Sequence, residues 1–387
     1  MRIFSLLLIF AVLSNACVST KPDHHESSNF IWTLGGFERP ANLNPILEPQ
    51  DNSVFFDPMS QDSVFWEAND TFNPGAVVKD GKVYLLYRAE DHSGEAIGHR
   101  TSRLGLAESE DGLHFSRKET PVLFPDDDSQ RQYEWPGGLE DPRLAVTEDG
   151  TYVVFYTQWD RDVPRLGVAT SRDLIHWDKH GPIFKNANFI EVLNAPHKSA
   201  SIVTSLRDNR LVITKVNGKY FMYWGEHGVS GAVSDDLLNW EPVLNEKGEL
   251  AKFMMPREGY FDSSLTECGP PALLTDKGIL LLYNGRNHDD AALADPRFNL
   301  GSYSAGQVLF AADDPTRVLQ RLDVPFLRPM EPFETSGQYR DGTVFIQGLT
   351  YFNNKWFLYY GCADSRVAVA VYDPQRLTDF DPIPTPE

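Results

Sequence analysis

Acids at strand boundaries are the residues of this chain best placed to do chemistry. Residues 137–143 read GGLEDPR, two adjacent carboxylates between a Gly-Gly pair and a Pro-Arg, just before the apolar run Leu144-Ala145-Val146. Glu226 in YWGEH follows an aromatic-rich run, and Glu267 in LTECGPP precedes an apolar one. Carboxylates that converge on one small site can divide the work of general acid and general base, the chemistry that cleaves a glycosidic bond. Asp141 stands out, because Pro142 fixes the backbone beside it at the start of a strand. Asp80, Asp111, Asp173, Asp236 and Asp373 sit in turn-like contexts and read as turn and loop formers.

Metal chemistry has no comparable support. His24 and His25 lie near the N-terminus, and His92, His114, His176, His197, His227 and His288 lack ligand spacing, so no metal or cofactor is expected. The formal charge is −20, from 55 acidic and 35 basic residues, and no Lys/Arg run interrupts the excess. Nucleic acids and anionic lipid surfaces are therefore poor partners, and a neutral or cationic ligand fits better.

Residues so far apart can meet only if the chain returns the same kind of position to one place, and its repetition does this. An aromatic-ended strand, a polar loop, a second strand of small and β-branched residues, then Asp and an aromatic recur five times. The copies begin KVYLLYRAED, TYVVFYTQWD, KYFMYWGEH, GILLLYNGRN and KWFLYYGCAD, with marker tyrosines Tyr87, Tyr156, Tyr223, Tyr283 and Tyr359. Each is preceded by another apolar strand and a tight turn of the Asp-Gly or Asn-Asn kind. Five such units predict an all-β fold, a five-bladed β-propeller. Its channel mouth would gather the polar residues at the inner-strand starts: Asn73, Asp141, Lys198, Ser199, Glu267, Arg340 and Asp341. A second ring follows the marker tyrosines: Arg88, Glu90, Asp91, Gln158, Asp160, Glu226, His227, Arg286, Asn287 and Asp364. Trp135, Trp159 and Trp224 are candidates to stack on sugar faces at the rim, or to be core.

The first residues have a separate purpose. Arg2, the apolar stretch Ile3 to Leu13 and the ending LSNAC have the layout of an export signal. The ending resembles a bacterial lipobox, which predicts a signal over 1–16, lipidated Cys17 and a polar leash to 29, followed by one catalytic domain over 30–387. The expected place is the bacterial cell envelope, with membrane contact through the lipid anchor only. An ordinary signal with an incidental cysteine is the alternative. Cys268 and Cys362 are expected to be unpaired.

The phrases NPGA, YLLYRAED, GLEDPRL, TKVNGKYFMYWGE, ECGPPALLTDKGILLLYNG and YYGCAD resemble the successive motifs of glycoside hydrolase family 130, over about residues 30 to 380. That family comprises β-mannoside phosphorylases and β-1,2-mannosidases on a five-bladed propeller. The resemblance implies that Asp141 is the catalytic acid of an inverting single displacement, protonating the leaving oxygen through a hydroxyl of the mannose ring. It implies that Asn73, Arg88 and Asp364 hold the sugar in the −1 subsite, with Asp91 nearby, and that Arg143 orients Asp141.

What attacks the sugar decides the activity. Family phosphorylases hold phosphate with basic and amide groups, one a histidine in a Tyr-His-Gly that corresponds to Tyr283-Asn284-Gly285 here. Asn284 replaces the histidine, and Glu226 and Glu267 add negative charge that would repel a dianion. The pair suits a water, one glutamate as base and the other orienting, about 6.5–9.5 Å from the acid. Lys215 in TKVNGKY matches a lysine of the phosphorylases and is expected to pair with a glutamate. The expected activity is an exo-acting, inverting β-1,2-mannosidase taking β-mannoside oligosaccharides. A phosphorylase releasing mannose 1-phosphate and a non-catalytic glycan-binding propeller are the alternatives.

Overall fold

The computed structural model describes residues 32–376. The expected signal, Cys17 and leash lie outside the described residues. Five antiparallel blades follow one another along the chain. The first comprises Asp70–Lys79, Lys82–Glu90, Ser102–Ser109 and Ser116–Arg117; the second Gly138–Val146, Tyr152–Trp159, Arg165–Ser171 and Asp178–Pro182. The third runs from Ser201–Arg207 through Lys219–Trp224 and Ser230–Ser234 to Glu241–Pro242. The fourth has an inner strand broken into Leu265–Cys268 and Ala272–Leu274, followed by Ile279–Arg286, Tyr303–Phe310 and Val318–Arg321. The fifth holds Val344–Phe352, Lys355–Cys362 and Arg366–Tyr372.

An N-terminal segment completes the fifth blade. Glu38 bridges Val371 and Leu47 bridges Val367, both antiparallel, so the start of the fold lies along the edge of its last sheet. A propeller closed this way leaves no free edge between its first and last blades. Inner strands of successive blades run parallel, as in the pairing of Val203 with Ala272. Apolar side chains fill the spaces between blades; one such cluster joins Leu86, Leu104, Leu144, Val154 and Tyr156 of blades one and two.

The repeat has a polar signature as well. In four blades a fully buried carboxylate from the preceding loop accepts from a tyrosine and pairs with a base on the outer edge. Tyr87 donates to Glu67 at 2.8 Å, as does Arg117. Tyr156 and Lys179 meet Glu134 at 2.8 and 2.6 Å, and Tyr283 and Arg321 meet Asp262 at 2.6 and 2.5 Å. In the fifth blade Tyr360 and Arg39 meet Glu334 at 2.8 and 2.7 Å, the base coming from the N-terminal segment. A buried carboxylate needs this charge and these donors to be tolerated. On the outer turns Asp111, Asp173 and Asp236 each accept two backbone N–H groups, the turn roles read from the sequence.

Candidate active site

Two bulges build the site. Pairing between the first two strands slips between Phe72 and Gly75 in blade one and between Glu140 and Arg143 in blade two. Asn73 and Asp141 occupy those slips with φ of 46° and 49°, each directly before a proline. Asn and Asp tolerate this left-handed region better than other residues, at a cost of about 1–3 kcal/mol. A bulge re-aims its side chain out of the pleat, and here both side chains enter one cavity. The freed carbonyls are bound from beneath. Gln347 Nε2 donates to the carbonyls of Asn73 and Pro142 at 2.6 and 2.8 Å. Arg143 donates to those of Asp141 and Cys268 at 2.8 and 3.0 Å. Gln347 and Arg143 are fully buried and form a floor of hydrogen bonds beneath Asn73 and Asp141.

The cavity encloses about 480 Å³ and draws residues from all five blades. On one side Asp141 Oδ1 accepts from Asn73 Nδ2 at 2.9 Å and Arg88 Nη1 at 3.2 Å. Arg88 Nη2 also reaches Glu90 at 2.6 Å and Glu140 at 2.7 Å, and its guanidinium lies 4.6 Å from the centre of the Phe72 ring. Asp364 completes the acidic group, with φ of 50°. Burial opposes ionisation of Asp141, Glu140 and Asp364, but Arg88, Lys198 and Arg143 together hold Asp141 down at about 2. Asp364 is pushed up to about 8, by burial and then by the Asp141 charge. Burial raises Glu140 to about 7 against the pull of Arg88. The proton of this cluster therefore rests on Asp364 and Glu140, with Asp141 ionised.

Across the cavity Lys198 Nζ lies 2.9 Å from Glu226 and 3.7 Å from Glu267. The Ser199 hydroxyl donates to Glu267, and His227 Nε2 is 3.6 Å from Glu226. Burial pushes Glu267 up despite Lys198. Burial would raise Glu226 also, but the ammonium of Lys198 outweighs it and holds that carboxyl below its ordinary value. The third cation of the lining, Arg286, is occupied by Asp289 at 2.7 and 2.9 Å. Asn73 Oδ1 and Thr343 Oγ1 are buried without a hydrogen-bond partner, acceptors that sugar hydroxyls could satisfy.

Of the expected site residues, Asn73, Arg88, Asp141, Glu226, Glu267 and Asp364 share this cavity. Four others do not line it. Arg143 lies in the floor and reaches Asp141 through its carbonyl, an orienting position. Asn284 is wholly buried, its amide donating to the Ile346 carbonyl and accepting from the Ile346 N–H at 3.1 and 2.7 Å, which makes it a tie between blades four and five. Asp91 is consumed by Arg103 at 2.7 Å and by the Ser93 N–H. Lys215 is exposed, over the Tyr220 ring at 4.8 Å. It belongs to an additional excursion, Arg210–Ile213 and Lys215–Val216, inserted between the inner strand and Lys219–Trp224. Lys198 is the lysine that pairs with the glutamates.

Other lining residues escaped the sequence reading. Tyr303 and Tyr339, edge to face at 5.8 Å, come from a third strand and a loop that carry no motif. Ile97 and Gly98 come from the loop after Asp91, and Trp159, a rim candidate of the sequence, lines the cavity and is fixed by donating to the Gly98 carbonyl at 2.8 Å. Glu140 lines the cavity beside Asp141, a position the GGLEDPR spacing could have suggested. Trp224 is buried core. Cys268 and Cys362 are buried free thiols, as expected.

A five-bladed propeller whose mouth is a carboxylate-walled cavity suits a carbohydrate-active enzyme. The chain belongs to glycoside hydrolase family 130: the family model described as beta-1,4-mannooligosaccharide phosphorylase matches residues 42–381. A 1,2-beta-oligomannan phosphorylase of Thermoanaerobacter sp. (strain X514) is 32% identical over 80% of this chain and 91% of its own length. The structure of a glycosyl hydrolase from Bacteroides ovatus superposes with a TM-score of 0.88 at 59% identity, covering 91% of this chain and 98% of that one. Another solved structure, described with the finding that the family contains glycoside hydrolases that target β-1,2 mannosidic linkages in Candida mannan, gives 0.89 at 57% identity over 92% and 98%. The protein is thus an enzyme acting on mannosides.

Proposed function

We propose that the protein is an exo-acting, inverting β-mannosidase that hydrolyses β-1,2-linked mannosides with water. The observation that carries this reading is that, among the described residues, each Lys and Arg lining the cavity is already paired with carboxylate: Arg88 with Asp141, Glu140 and Glu90, Lys198 with Glu226 and Glu267, Arg286 with Asp289. A phosphate dianion would meet no uncommitted positive charge and two carboxylates on the attacking side. Glu226, kept ionised by Lys198, takes the water's proton while Glu267 orients the water. The water oxygen bonds to C1 and the bond from C1 to the leaving oxygen breaks. The leaving oxygen receives a proton from the Asp141 cluster through a hydroxyl of the bound sugar. The β-linked substrate then yields α-mannose first.

The similarity at 59% identity to a glycosyl hydrolase from Bacteroides ovatus, and at 57% to a structure described with glycoside hydrolases of the family that target β-1,2 mannosidic linkages, supports this reading. Phosphorolysis is the second reading, favoured by the similarity to a 1,2-beta-oligomannan phosphorylase and a beta-1,2-mannobiose phosphorylase of Thermoanaerobacter sp. (strain X514). Incubation with β-1,2-mannobiose, with and without phosphate, separates them. Free α-mannose at equal rates in both supports hydrolysis, whereas release of mannose 1-phosphate only with phosphate refutes it. An Asp141→Asn variant with unchanged function would instead favour a glycan-binding propeller. The LSNAC ending supports an envelope lipoprotein anchored through Cys17. Labelling with a fatty-acid probe, lost in Cys17→Ala, tests it.

A further inference from the structure

We propose that Lys198 is the positioning residue of the attacking side, its single ammonium binding Glu226 and Glu267 into one water-holding unit. The proposal rests on the hydrolytic reading above.

Backbone contacts bring the three residues together. Gly225 N donates to the Lys198 carbonyl at 3.0 Å, fixing the segment before Glu226 against the start of blade three. Thr266 N donates to the Glu226 carbonyl at 3.1 Å, and Cys268 N to that of Gly225 at 3.2 Å, so the segments bearing the two glutamates lie side by side. Ser199, adjacent to Lys198 and with φ of 64°, turns its hydroxyl to the same oxygen of Glu267 that the ammonium faces. One strand start thus grips both acids.

Two carboxylates on neighbouring segments repel unless a cation stands between them. The groups facing Glu226 are Lys198, His227, Glu267 and Asp141. Those facing Glu267 are Lys198, Glu226, Arg143 at 3.9 Å, Ser199, Tyr303 and Tyr339. Among the described residues, Lys198 is the cation within ion-pair distance of both. Its charge keeps Glu226 able to accept a proton while burial favours the neutral form of Glu267. Engaged by both acids, the same ammonium is withheld from anions.

The test compares Lys198→Met and Lys198→Arg with the intact enzyme on β-1,2-mannobiose, reading kcat and KM from pH 4 to 9 alongside thermal unfolding. Lys198→Met is expected to lower kcat about 100-fold with KM within about threefold. Its acidic limb should move up by about one pH unit, since Glu226 loses the charge that favours its ionised form. Lys198→Arg should return the limb to its original position and recover part of kcat. A folded Lys198→Met with an unmoved acidic limb, or a folded Lys198→Arg with a displaced one, overturns the proposal. In a Glu226→Gln background the Met substitution should cost less than about threefold more, and a full additive loss also overturns it. Strict phosphate dependence of the unaltered enzyme would instead remove the hydrolytic reading itself.

Discussion

Asn73 Nδ2 donates to Asp141 Oδ1 at 2.9 Å, and the two residues occupy the same left-handed bulge before proline in neighbouring blades. The propeller repeat thus generates a hydrogen-bonded pair from two copies of one local conformation. Asp141→Asn keeps the bulge and removes the carboxylate. It is expected to fold normally and lose about 10³-fold or more in kcat, measured by mannose release. Asn73→Ala removes one donor to Asp141 and the free Oδ1 acceptor, and should cost about 10- to 100-fold.

The acidic cluster is expected to set the alkaline limit of activity. Asp364 and Glu140 carry the proton, with values of about 8 and about 7, both raised above the ordinary carboxyl range. A raised carboxyl holds its proton below that value and releases it above. The rate should therefore fall as pH rises through roughly 7 to 8, in a profile of kcat/KM against pH. A profile flat to pH 9.5 would contradict a proton shared among these groups.

Lys215 and Asn284 separate under substitution. Lys215→Ala, on an exposed hairpin outside the cavity, should change activity by less than about twofold and stability by less than about 0.5 kcal/mol. Asn284→Ala leaves the buried Ile346 N–H and carbonyl unpaired and should destabilise by about 1–3 kcal/mol in urea unfolding.

His197 links stability to acid. It is buried, accepts from the Leu166 N–H at Nδ1 at 2.8 Å, and is held at about 3 by burial and then by Arg165, against an ordinary 6.5. The unfolded chain takes up this proton first. The neutral ring's contribution is complete above about pH 6.5 and is lost as the pH falls towards about 3, at up to about 1.4 kcal/mol per pH unit. Unfolding free energies of the native protein and His197→Gln, measured from pH 7 to 4, should converge as the pH falls.

The five units were legible because each blade repeats its strand order and its marker tyrosine. The bulge acid was legible because Pro142 exposes it in the sequence. Glu226 and Glu267 could be drawn to one site because they end and begin strands at equivalent heights. Lys215 misled for a physical reason: the extra excursion after Arg207 turns Lys215 to the surface, while Lys198, three residues before its strand, takes the inward place. Asn284 and Asp91 are polar residues beside the site that the blades use for their own cohesion, and residue type alone does not distinguish the two uses. Tyr303, Tyr339 and Ile97 reach the cavity from segments whose positions depend on the closed ring.

With Gln347 and Arg143 hydrogen-bonded across the base of the cavity, the mouth is expected to serve as both entrance and exit. A mannose at the bottom cannot depart while the remainder of the glycan is above it. On the exo-acting, hydrolytic reading proposed above, product release is ordered, the shortened glycan first and the monosaccharide last. Mannose should accordingly act as a competitive inhibitor of the free enzyme, and accumulating monosaccharide, more than shortened glycan, should slow a long digestion.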